Sequence, residues 1–265
     1  MHRLAILAVL LLMSLLCGVL LSGGRATVAA PVCPAPPEVA APDVAPGMFP
    51  RVAGALQAGH LTVLAIGSGT VLGARGRAEG SFSDQMAQDL RNAMPGTDIR
   101  LVLRGERGIT AAGMLAIMSK ELGPQQPGRQ EPGGHHFDLV VWQTGTVEAV
   151  RNAPPDQFAR TLDEGAAAVR QVGADLLLVD PQYSRMLQSH AALDPYREAM
   201  QDAAHRHGAV LFRRFELGRS WADAGQLDLE SASRPERRRI TERLNACLGA
   251  ALAQTVLRAA GRLPR

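Results

Sequence analysis

A doubly wound parallel α/β sheet is the fold this sequence predicts, on three observations. Five short runs are apolar throughout, as strands buried on both faces are. Stretches with helical periodicity alternate with them, and the runs end in turns rich in glycine or hydroxyl residues.

In chain order, strands are expected near 62–67, 98–103, 137–143, 174–180 and 208–215. Amphipathic helices are expected near 81–93, 110–122, 155–172 and 192–206, with a last helix over 234–260. That helix has a clear start, because Ser233 followed by Glu236 forms a capping box and Pro235 stands in the first turn. Its Ile240, Leu244, Cys247 and Ala251 make one apolar stripe. The only low-complexity piece inside the domain is the Gly/Pro/Gln loop at 123–134, and there are no internal repeats.

The segment ahead of the sheet is of another kind. Met1-His2-Arg3 leads into eighteen uncharged residues, Leu4 to Leu21, a basic start followed by a long apolar run. Residues 1–30 are therefore expected to be a cleaved signal peptide, with Thr27-Val28-Ala29 as the cleavage site, or an uncleaved membrane anchor. Either way the protein is expected to be exported, to the periplasm or to the periplasmic face of the inner membrane. Residues 31–57 read as a stiff Pro/Ala-rich linker, with seven prolines between 31 and 50. The folded domain is expected over 58–265.

Of the 265 residues, 46% are hydrophobic and 20% charged, a globular composition that excludes disorder and a polytopic membrane protein. The net charge is only +3, and Lys120 is the one lysine among 28 basic residues, so the arginines do not by themselves imply a nucleic-acid partner. His135-His136 lacks carboxylate or cysteine partners, so neither a metal nor a cofactor is expected. Arg234, Arg237, Arg238, Arg239 and Arg243 read as the solvated face of the last helix. Cys33 and Cys247 would both meet an oxidising compartment and are expected to be bonded, closing a loop worth about 5 kcal/mol on the chain-entropy model.

Chemistry in an open parallel sheet gathers where the strands end. The first three turns read Gly67-Ser68-Gly69-Thr70, Arg104-Gly105-Glu106-Arg107-Gly108 and Thr144-Gly145-Thr146-Val147-Glu148. In the order and spacing of these turns the chain resembles the SGNH/GDSL hydrolases. Trp142-Gln143-Thr144-Gly145-Thr146 and Val179-Asp180-Pro181-Gln182-Tyr183 resemble one exported branch of that family. The resemblance implies a flavodoxin-like five-stranded sheet in a three-layer sandwich, and acyl-ester hydrolysis as the ancestral reaction.

That reaction needs a serine nucleophile, an Asp-oriented histidine base and an oxyanion hole. Aligning Gly67 on the glycine of the Gly-Asp-Ser turn puts Gly69 at the nucleophile position. A shift of one residue makes Ser68 the nucleophile instead. Gly105 matches the oxyanion glycine, Gly145 lies in the same pocket, and Val147 and Glu148 stand where the family has Asn and Asp. Arg104 and Arg107 flank Gly105 as candidate ligand-binding residues, with Glu148 exposed or paired to one of them. The family's Asp-x-x-His lies before the last helix, but residues 208–265 hold no histidine, and Asp202-x-x-His205 lies on the preceding helix. Whether the chain is an enzyme is left open, since the triad is incomplete. The expected function is an impaired SGNH-fold protein in envelope or exopolysaccharide processing, with an acylated or acidic glycan as ligand. The alternative is an active serine esterase using Ser68.

Overall fold

The structure is a computed structural model and describes residue 33 and residues 39–73, 80–123 and 136–263. In chain order it contains α1 (Pro50–Gln57), β1 (His60–Gly67), α2 (Phe82–Ala93), β2 (Asp98–Gly105), α3 (Ala111–Leu122), β3 (Leu139–Gln143), α4 (Thr146–Val150), α5 (Pro155–Gln171), β4 (Asp175–Val179), α6 (Arg185–Gln188), α7 (Asp194–His207), β5 (Val210–Phe212), α8 (Arg214–Asp223) and α9 (Arg234–Ala259). The five strands are parallel, in the order β2-β1-β3-β4-β5. This is the flavodoxin-like order, with its switch point between β1 and β3.

Alternation along the strands divides the core into two layers. Val63, Ala65, Val141, Leu177 and Phe212 face α1, α2 and α9, while Leu64, Ile66, Val140, Trp142 and Leu178 face α3, α5 and α7. Trp142 is fully buried, and Gly165 of α5 makes room for it, since a Cβ there would fall 2.3 Å from the indole. The helix starts follow local chemistry. Ser81 accepts from the Asp84 N–H and Thr110 from that of Gly113, while Glu236 accepts from the Ser233 N–H and hydroxyl. The second half of α9, from Cys247 on, runs buried beneath the sheet.

Two expected boundaries move. The spacer expected through residue 57 gives way to folded chain earlier: Ala40 and Phe49 are buried, and α1 packs into the core with Pro50 in its first turn. The Gly47 and Phe49 N–H groups donate to the Ala259 carbonyl, and Ala40 O accepts from Arg213 N beyond the edge strand. The last strand, expected over 208–215, is only three residues long, because Arg214 opens α8. Cys33 and Cys247 are disulfide-bonded, with Cα atoms 5.4 Å apart. The apolar segment 4–21, Cys17 and His135 lie outside the described residues, among which no helix is long and apolar enough to cross a membrane.

Candidate functional site

The turns after β1, β2 and β3 meet at the carboxyl edge of the sheet. Gly67 pairs with Gly105 in register, and their approach is so close that a Cβ on Gly105, whose φ is +146°, would lie 1.8 Å from the Gly67 carbonyl oxygen. Only glycine fits there. The Gly67-Ser68-Gly69-Thr70 turn closes with the Val71 N–H donating to Ser68 O at 3.0 Å, and the Thr70 hydroxyl donates to Gln143 Oε1 at 3.0 Å, joining the β1 and β3 ends. Gly145 adopts φ +93°, and a Cβ on it would press to 3.1 Å from Pro181.

Ser68 is half-buried on this turn, and its side chain forms no hydrogen bond with any described residue. His60 and His136 lie at the opposite, amino edge, as do His205 and His207 at the end of α7. His190 follows β4, but it is exposed and its Nδ1 lies against Met186 O and Ser189 Oγ. No proton acceptor among the described histidines is thus hydrogen-bonded to Ser68. His205 is exposed on the face of α7. Between β5 and α9, where the family's Asp-x-x-His stands, this chain has Asp228-Leu229-Glu230-Ser231. The Asp228 carboxylate is clasped there by the Arg185 guanidinium at 2.7 and 2.9 Å.

Two expected ligand residues are engaged elsewhere. Glu148 is buried, and its Oε1 accepts from Ala111 N at 2.5 Å while Oε2 accepts from Gly145 N at 3.2 Å. It neither lies exposed nor pairs with Arg104 or Arg107. Its side-chain oxygens take the first N–H of α3 and fix the β3 turn, a helix-capping role. Arg104 pairs with Glu121 at 2.6 Å in the last turn of α3. Of these three expected ligand residues, Arg107 reaches the serine turn: it is exposed, and its Cγ lies 3.7 Å from where a Cβ on Gly69 would be.

Arg214 is a further residue of this edge, one that the turn motifs do not mark. Its side chain is buried and donates to Thr70 Oγ1 and Gln182 Oε1, both at 3.4 Å, with the guanidinium 5.1 Å from the centre of the Phe82 ring. Thr70, Gln143, Gln182 and Arg214 thus form a polar seam across the ends of β1, β3, β4 and β5. Burial pulls the Arg214 guanidinium down to about 10, which still leaves it charged at neutral pH, and the nearby Asp180 charge opposes the shift. Asp180 is itself pushed up to about 7 by burial, against the Phe215 N–H bond and the Arg197 charge. The pair Arg213-Arg214 after a short apolar run is the available signal, but nothing local distinguishes the buried one from a solvated one.

No curated protein sequence matches this chain. Among solved structures, a hydrolase from the Lake Arreo metagenome shares 18% identity and a TM-score of 0.55, over 77% of this chain and 97% of its own. The lipase/acylhydrolase from Enterococcus faecalis shares 17% and 0.53, over 77% and 97%. A catalytic mutant of an acetylxylan esterase from Geobacillus stearothermophilus shares 14% and 0.54, over 76% and 94%. These likenesses establish the SGNH-hydrolase fold. Residues 32–262 match the model of the Non-GDSL lipase-like family, and this chain belongs to that family.

Proposed function

We propose that this protein is an exported, catalytically impaired SGNH-fold protein that holds an acylated or acidic glycan in the cell envelope without cleaving its esters. The observation that carries the reading is the chemistry around Ser68. Acyl transfer needs a proton acceptor within hydrogen-bond reach of the hydroxyl, and none of the described residues is bonded to it. Val147, at the family's asparagine position, cannot donate to an oxyanion, a loss worth about 10²–10³ in rate. Where the histidine would stand, the segment before α9 carries Ser231, and the neighbouring strand end supplies a guanidinium. A cation favours binding of negative charge but accepts no proton.

The apolar segment 4–21 and the Cys33–Cys247 disulfide support an extracytoplasmic location, since such bonds persist in oxidising compartments. The acetylxylan esterase and lipase/acylhydrolase of the same fold act on esters, which is why an acylated ligand is favoured. The test is hydrolysis of acetyl, butyryl and longer acyl esters by the purified full chain, alongside Ser68→Ala. The expected result is background turnover in both. Turnover that disappears in Ser68→Ala would establish the alternative, a serine esterase.

A further inference from the structure

Two arginines near the ends of β4 and β5 are treated very differently. Arg197 is partly exposed and ion-paired with Asp180, Asp194 and Glu216. Arg214, the more deeply buried, has no carboxylate among the described residues within ion-pair distance, and its two hydrogen bonds go to neutral oxygens at the long limit of 3.4 Å. Asp180, the acid whose charge acts on it, is already held by Arg197 and by the Phe215 N–H at 2.9 Å. A buried cation left this way is costly unless something else brings the negative charge.

Arg214 lines a pocket of about 180 Å³ formed by the segment after β4, α8, the residues leading into α9 and the middle of α9. Ala222, Leu227, Leu244 and Leu248 give it an apolar lining, to which Gln182 and Tyr183 also contribute. The two acids at the rim are occupied: Asp228 by the Arg185 guanidinium, and Glu230 by the Ser184 hydroxyl and the Arg185 side chain. We propose that this pocket is a carboxylate receptor, in which Arg214 takes the carboxylate of a ligand whose short apolar stem lies against Ala222 and Leu248. The proposal rests on reading this edge as a binding site, and it names the ligand chemistry.

Its test is calorimetric titration of the full chain in mild detergent with butyrate, butyramide and glucuronate at constant ionic strength. Butyrate should bind saturably and at least tenfold more tightly than its neutral isostere butyramide. Arg214→Met should lose at least tenfold in butyrate affinity, with Arg214→Lys intermediate. Arg214→Met should also melt at a higher temperature than the native chain, because it removes an uncompensated buried charge; a structural arginine would give the opposite shift. Ala222→Leu should weaken butyrate while sparing acetate. Tighter butyrate assigns a free short-chain acid, and tighter glucuronate a sugar-borne carboxylate; both support the receptor.

Equal binding of butyrate and butyramide, or undiminished butyrate affinity in Arg214→Met, overturns it. Should Arg214→Met not fold, the butyrate–butyramide comparison on the native chain and Ala222→Leu decide the same question. Absent binding together with absent hydrolysis removes this inference alone, whereas Ser68-dependent hydrolysis removes the reading beneath it.

Discussion

The two ends of the sheet handle buried polar groups in opposite ways. At the amino edge, Asp138 accepts from Arg51 Nε at 3.0 Å and from Thr62 N at 2.9 Å, and Asp175 accepts from Val52 N at 2.9 Å. These carboxylates fasten α1 to the starts of β1, β3 and β4. At the carboxyl edge, the buried hydroxyls of Thr144 and Thr146 have no hydrogen-bond partner among the described residues, and Arg214 is held by long bonds only. Buried polar groups are nearly always satisfied in folded proteins; among the described residues the amino edge has one exception, His207 Nδ1, against two hydroxyls and a loosely held guanidinium at the carboxyl edge. Native proteins tolerate such deficits where a ligand completes them, which is the role proposed above for the carboxyl edge, whereas the amino edge is fastened by its own carboxylates.

The largest expected effect tests the one place where the carboxyl edge is rigid. Gly105→Ala forces a Cβ into the Gly67 carbonyl at a backbone angle that alanine resists, and should cost about 3–5 kcal/mol in urea unfolding. A loss under about 1 kcal/mol would mean that the β1–β2 turns yield easily. Next comes the amino edge: Asp138→Ala strands the buried Thr62 N–H and frees Arg51, for an expected loss of about 2–4 kcal/mol.

A pH titration compares the two edges directly. Burial raises Asp175, at the amino edge, to about 6 and Asp180, at the carboxyl edge, to about 7. In the unfolded chain both lose their protons near pH 4. Between those values the folded state binds more protons, so this contribution to stability is fully present below about pH 4 and is lost as the pH rises through 6 and 7. The protein should therefore unfold at lower denaturant at pH 8 than at pH 5, by about 1–2 kcal/mol for each group. Asp175→Asn should remove the lower step and Asp180→Asn the upper one. The smallest effect belongs to Ser68→Ala, expected within about 0.5 kcal/mol of the native chain, since the hydroxyl holds nothing in the described fold.

The sheet and its five long helices could be read in advance because each apolar run or stripe carries its own period. The shorter helices could not. Pro50–Gln57 follows a proline-dense stretch whose composition argues for extended chain, and its helix is secured by Asp175, over a hundred residues away. The turn glycines were legible for a similar reason, as they sit where apolar runs stop. What failed was the direction of side chains. Glu148 looked like a pocket acid, but its partner is the start of a helix 37 residues earlier. Arg214 looked like any of the chain's many arginines until its burial and missing counter-charge were seen in three dimensions.

The Cys33–Cys247 bond spans 214 residues of sequence and so turns nearly the whole domain into one covalent ring. Its mechanical consequence concerns the path of a load. Tension applied at the N-terminus, as from a segment held in a bilayer, passes at residue 33 directly through the sulfurs into α9 and leaves toward the C-terminus. α1, the sheet and every turn of the candidate site lie off that path, inside a loop that pulling on the ends cannot extend. For the same reason a single protease cut anywhere between the two cysteines leaves one covalently continuous molecule, which separates into fragments only on reduction.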